Sequence, residues 1–176
     1  MIAPVRFLAA AALMGLVSAC APTLGPPPPS GPPQAPDAPF SAAAFAWSQI
    51  PGKNSIVGRL VDGPVKYSCE GSQVVLTPET PWSRRRMQVL YKSDQQAALP
   101  TDEVRARSPL AAPGDSNPYV KRAICDPNNH FSFAGLADGA WYVITIAKPV
   151  GAPGGTSMAL MRRVVTRGGR ITPVEL

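Results

Sequence analysis

The stretch DPNNHFSFAGLADGAWYV, residues 126–143, decides the fold. Asp126-Pro127-Asn128-Asn129 reads as a turn. Proline in the second position presets φ, and asparagine tolerates the left-handed conformation that closes such a loop. With residues 119–125 before it and His130-Phe131-Ser132-Phe133 after it, the pattern predicts a β-hairpin. Phe131 and Phe133 then point to the core and His130 points outward, as an exposed strand histidine rather than a catalytic one. Residues 135–139, GLADG, form a second turn signal. Residues 141–147, WYVITIA, follow, apolar at every step but one and rich in β-branched side chains, as suits a central strand.

Working outward, the same alternation recurs. Residues 55–61 form a short apolar-rich run that ends at Asp62-Gly63-Pro64. Val65, Tyr67 and Cys69 alternate with Lys66 and Ser68, which turns Cys69 inward. Residues 73–77 continue to Pro78, and residues 87–91, MQVLY, are read as a fourth strand. Residues 158–166 and 170–175 complete the set, joined by Arg167-Gly168-Gly169, a hairpin signal. Residues 92–118 are polar, carry four prolines and lack a sustained period, so they are read as a long surface excursion. A helical turn is expected at Thr101, capping ahead of Asp102 and Glu103. Residues 41–48 are expected to form one short helix. About eight or nine short strands separated by turns indicate an all-β, antiparallel sandwich.

Two of these stretches resemble a known family. Residues 126–143 are similar to the D-x-x-G-x-F-x-F-x-G-L-x-x-G-x-Y-x-V signature of carboxypeptidase regulatory-like domains. Residues 56–78, IVGRLVDGPVKYSCEGSQVVLTP, resemble that family's first strands. The resemblance implies a transthyretin-like (prealbumin-like) Greek-key β-sandwich over residues 40–176, with a long excursion at about 79–118. Asn129 stands where the family usually has glycine, an exchange that keeps access to positive φ. Trp141 replaces the usual tyrosine, and the excursion is longer than the usual module carries. The architecture hosts many unrelated roles, so it implies a fold more than a function. The histidine-rich site and the tail of the related hydroxyisourate hydrolases are not expected here, with a single histidine and residues 171–176 reading ITPVEL.

The amino-terminal residues suggest where such a domain would sit. One basic residue precedes an apolar run over residues 7–17, too short for the ~20 residues of a spanning helix and suited to a signal peptide over 1–19. Val17-Ser18-Ala19-Cys20 resembles the bacterial lipobox, which implies that Cys20 is acylated and anchors the chain in the membrane. Ala21 rather than aspartate after the cysteine favours, by analogy, the outer membrane of a Gram-negative bacterium. The linker, residues 20–39, holds nine prolines and little charge, so it should populate polyproline II rather than a core. At ~3.1 Å per residue such a stalk reaches roughly 60 Å.

Composition narrows function by exclusion. The formal charge of +6 would suit nucleic acid, but the export signal argues against that partner. With Cys20 assigned to lipid, Cys69 and Cys125 are expected to pair in an oxidising compartment, the alternative being two free buried thiols. No metal site is expected, because His130, the single histidine, leaves a zinc set short of ligands. A serine triad would need His130 with Ser132 and Asp126, and no nucleophile elbow accompanies them. Paired carboxylates drawn from Glu70, Glu79, Asp102, Glu103 and Asp115 offer only a generic glycosidase geometry. The sequence therefore reads as a non-catalytic module without a cofactor, binding or bracing an envelope protein or glycan. The alternative is an anion-binding module for phosphorylated glycan or lipopolysaccharide, using Arg84, Arg85, Arg86, Arg162 and Arg163.

Overall fold

Alternating apolar side chains build nine strands in the computed structural model, which describes residues 38–61, 66–152 and 154–176. The signal segment 1–19, Cys20, the linker up to residue 37 and the Asp62-Gly63-Pro64 turn lie outside the described residues. The strands are β1 (Asn54–Arg59), β2 (Tyr67–Ser68), β3 (Gln73–Pro78), β4 (Gln96–Pro100), β5 (Lys121–Ile124), β6 (His130–Leu136), β7 (Gly139–Pro149), β8 (Met158–Thr166) and β9 (Ile171–Glu175). Two α-helices, α1 (Pro81–Tyr91) and α2 (Thr101–Arg107), interrupt the series.

The smaller sheet runs β6-β1-β9. The larger runs β4-β8-β7-β3-β5, with β2 paired to the end of β7. Their facing sides enclose one core, built from Ile56, Leu76, Phe131, Phe133, Trp141 and Val143 among others. Trp141 is fully buried, and its indole Nε1 donates to Thr166 Oγ1 at 3.0 Å. Gly58 lies opposite Phe131, and a Cβ there would fall inside the Phe131 ring, so the ring can rest on β1 only because the position is glycine. A second core forms on the outer face of the larger sheet. There Met87, Leu90 and Tyr91 of α1 cover Tyr142 of β7 and Ala159 and Met161 of β8. The helices thus make a third layer.

Several expectations are corrected. Residues 87–91 are the second half of α1, not a strand. Thr80 starts that helix: its Oγ1 accepts from the Ser83 backbone N–H at 3.1 Å, Ser83 Oγ accepts from the Thr80 N–H at 2.8 Å, and Pro81 fills the first turn. The turn at residues 126–129 joins β5 in the larger sheet to β6 in the smaller, so it is not a hairpin between paired strands. Arg167-Gly168-Gly169 likewise crosses from β8 to β9, between sheets. β9 pairs parallel to β1, so the strand pairing is not wholly antiparallel. Residues 92–118 carry β4 and α2 rather than an unstructured excursion. α2 does begin at Thr101, but no side chain caps it, and Thr101 Oγ1 donates to Ser157 O at 3.0 Å instead. The helix expected near residue 41 is a 3-10 helix, Ala42–Gln49, whose Trp47 packs over Gly139 and against Trp141 with ring centroids 4.9 Å apart.

Cys69 and Cys125 form a disulfide, with Cα atoms 5.7 Å apart and both residues buried. It fastens the end of β2 to the end of β5 beside the 126–129 turn. In that turn Asn129 takes φ 63° and its Oδ1 accepts from the Cys69 N–H at 2.9 Å. The bridge spans a sequence separation of 56, long enough to restrict the unfolded chain substantially. The Cys69→Ala/Cys125→Ala double variant is therefore expected to lose about 4 kcal/mol in denaturant unfolding. Reductant should lower the wild-type midpoint similarly and leave the variant unchanged.

Candidate functional site

The five arginines singled out from the sequence do not meet on one face. Arg84 on α1 and Arg163 on β8 converge, but on a carboxylate. Glu79, whose side chain is 6% exposed, takes Arg84 Nε on Oε1 and Arg163 Nε on Oε2, each at 2.8 Å. The terminal nitrogens of both guanidinium groups lie 2.7 Å from the same oxygens, so the contacts are charge-assisted and forked. Tyr142 Oη adds a donor at 3.3 Å. Burial pushes the Glu79 carboxyl up, but the hydrogen bonds and charges of Arg163 and Arg84 outweigh it and hold the group below the usual carboxylate range.

The remaining three go elsewhere. Arg86 lies over the Trp82 ring and donates to Ala112 O at 3.2 Å, which ties the return segment onto α1. Arg85 sits half-buried in a hollow with Phe40, Val89 and Leu110. Arg162 follows the strand alternation to the opposite face from Arg163, where it lines a hollow with Gln96 and Glu175.

Most of the hydrolytic candidates are committed locally, whereas Glu70, after β2, and Ser132, on β6, are exposed. Asp126 Oδ1 accepts from the backbone N–H groups of Asn128 and His130 at 2.9 and 2.7 Å, so it serves the turn. His130 is exposed on β6, with Nδ1 4.0 Å from Asp126 Oδ2. Asp102 pairs with Arg105, Glu103 pairs with Arg107, and Asp115 accepts from the Asn117 N–H. Among the described residues, no group of three or more His, Cys, Asp or Glu could hold a metal ion, and no helix is long and apolar enough to cross a membrane.

What the structure does assemble is a cleft that sequence reasoning did not single out. It lies on the outer face of the larger sheet, beside the helix layer, and has a volume of about 560 Å³. Volumes between about 300 and 1,000 Å³ are usual for small-molecule sites. Val75, Ile144 and Ile146 form the floor, Val104 of α2 forms a wall, and Arg105 and Lys148 stand at the rim. Its floor exists because β7 is apolar on both faces. Trp141 and Val143 enter the inter-sheet core, Tyr142 goes under the helices, and Ile144 and Ile146 continue along that outer face past the end of the cover. Ile146 is 42% exposed. The apolar character of both faces in residues 141–147 was the available signal; which end of the outer face stays bare is set by the helices.

No family model matches the chain, and no curated protein matches it either. Among solved structures, a proposed carbohydrate-binding protein from Pseudomonas aeruginosa superposes with a TM-score of 0.52 at 19% identity. That match covers 78% of this chain and 96% of the other. A group B streptococcus pilus 2b backbone protein matches with a TM-score of 0.36 at 14% identity, over 69% of this chain and 39% of its own. The first likeness shows a shared β-sandwich fold, and at that identity the fold alone; the second carries no argument.

The Glu79 cluster is a structural tie between layers, and it makes a pH-dependent claim. Replacing it with Glu79→Gln should cost about 2 kcal/mol, since charged hydrogen bonds are lost while both arginines keep access to water. A folded-state pKa below the unfolded value, near 4.3, contributes stability at higher pH that disappears as pH falls through the folded pKa. The wild-type advantage over the variant in chemical unfolding should therefore be constant above about pH 5 and shrink below about pH 4.

Proposed function

We propose that this chain is an exported, lipid-anchored and non-catalytic binding module of the bacterial envelope. In this reading Cys20 carries the acyl anchor, residues 20–39 are the spacer, and residues 40–176 are a transthyretin-like, carboxypeptidase regulatory-like sandwich. The binding surface is the cleft floored by Val75, Ile144 and Ile146. The outer membrane of a Gram-negative bacterium is the proposed location. An envelope component is the proposed partner, and nucleic acid is not.

One observation carries the reading. The sandwich keeps an open, apolar cleft beside its helix layer, while Glu79, Asp102, Glu103, Asp115 and Asp126 are engaged in ion pairs and turns. An exposed contiguous apolar surface of that kind is characteristic of a contact site. The carbohydrate binding proposed for the Pseudomonas aeruginosa neighbour is compatible with a binding role on this fold. The lipobox resemblance supports the anchor, and three acyl chains would make attachment effectively permanent.

Fractionation and a binding assay test the two halves separately. The full chain should remain with membranes through a high-salt wash and show acyl mass on Cys20, whereas Cys20→Ser should be released. Envelope extract should raise the melting temperature of the Cys20→Ser chain by mass action, and Ile146→Asp should remove that shift. A wild-type chain released by salt would end the anchor reading. A shift unaffected by Ile146→Asp would end the cleft reading.

A further inference from the structure

We infer that the cleft takes an amphipathic anion, a single aliphatic chain ending in a carboxylate or phosphate, such as a fatty acid or an acyl phosphate fragment. This rests on the cleft being the binding surface, and it names the ligand class.

The floor decides the tail. Val75 lies opposite Ile144 in the register of β3 and β7, and their side chains share the outer face with Ile146. On the adjoining edge strand, Ile124 lies opposite Gln73 and is 63% exposed, which prolongs the apolar strip beyond the cleft. All of these side chains are aliphatic and β-branched. The single aromatic ring at the cleft, Tyr91, is 6% exposed, so it offers no open face for a sugar to stack upon. A strip of branched aliphatics matches an acyl chain better than a sugar ring, because it rewards area burial and asks for no hydrogen bonds.

The rim decides the head. Lys148 continues the Ile144, Ile146 alternation on the same face and makes no ion pair among the described residues. Arg105 enters from α2, and its partner Asp102 is 86% exposed, an ion pair that water already weakens and a ligand could displace. Arg122, on β5 opposite Val75, adds a third cation to this face. The hydroxyls of Thr101 and Ser108 already donate to Ser157 O and Val104 O, so the cations alone answer the head. An apolar strip flanked by cations complements one kind of small molecule. It is greasy along its length and negative at one end.

The full chain carrying Cys20→Ser, which cannot bear an acyl chain of its own, is titrated calorimetrically below micellar concentration. The probes are dodecanoate, dodecyl phosphate, dodecanol and inorganic phosphate. Both amphiphilic anions should bind saturably at one site and weaken as salt rises. Dodecanol should bind about tenfold more weakly, and inorganic phosphate should give no measurable heat. Lys148→Glu should reduce dodecanoate affinity about tenfold, and Ile146→Asp should abolish it. Neither should lower the melting temperature appreciably, since both side chains are exposed. Equal affinity for dodecanol and dodecanoate, or dodecanoate binding that survives Ile146→Asp, would overturn the inference. So would absence of dodecanoate binding in a chain whose thermal shift with envelope extract still requires Ile146. That last result would refute the ligand class while leaving the cleft as the binding surface.

Discussion

A strand that is apolar on both faces cannot sit at a surface, and β7 imposes that constraint on everything around it. Trp141 and Val143 demand a sheet on one side, and Tyr142 demands a cover on the other. The smaller sheet answers the first demand and α1 the second. Each fully buried side chain of this size contributes about 1.5–3 kcal/mol, so satisfying one face alone would forfeit a large part of the stability of a domain this small. The helix layer is therefore integral to the sandwich. The chain inserts it, with edge strand β4 between the two helices, into residues 81–107, between β3 and β5, two strands that pair directly.

The Glu79 cluster shows how that layer is held in register. Glu79 follows directly on β3, Arg84 is in the first turns of α1, and Arg163 comes from β8, so one carboxylate binds three elements that hydrophobic packing alone would let slide. Packing is not directional, and forked guanidinium contacts are. The same arrangement explains why the arginines resist interpretation from sequence. A run of Arg84, Arg85 and Arg86 looks like a basic patch until a partner 79 positions away in Arg163 is known to share the same acid. Arg84 and Arg163 spend their charge within the fold.

What the sequence disclosed follows the range of the interactions involved. Strands β1, β2, β3, β5, β6, β7, β8 and β9 were legible from apolar patterning and turn signals, and the inward cysteine and outward histidine came with them. The positive φ of Asn129 was legible too, since turn chemistry is local. The pairing of strands was not. The turns at 126–129 and 168–169 fix a reversal of direction, but a reversal serves equally to enter the next strand of one sheet or to cross to the other. Residues 87–91 were misread because five apolar-rich residues fit either period, although Thr80-Pro81 announced a helix start just upstream. The cleft was illegible for a further reason. Ile144 and Ile146 declare that both faces of β7 are apolar, and only the placement of α1 and α2 determines which outer-face residues remain uncovered.

That incomplete cover is itself informative. α2 has seven residues, about 10 Å of helix at 1.5 Å each, while five strands at about 4.8 Å spacing make a sheet wider than two short helices can roof. A chain under selection only for stability would place polar side chains on the bare remainder, as antiparallel sheets with one solvated face ordinarily do. Here Gln73 and Arg122 follow that rule on β3 and β5, but Ile146 and Ile124 do not. Branched aliphatic groups left in water contribute nothing to folding that threonine would not supply on the same strand. Ile146 in a walled cleft with Lys148 at its end, and Ile124 beyond it on the same face, make the pattern expected when the missing roof is supplied by something that binds.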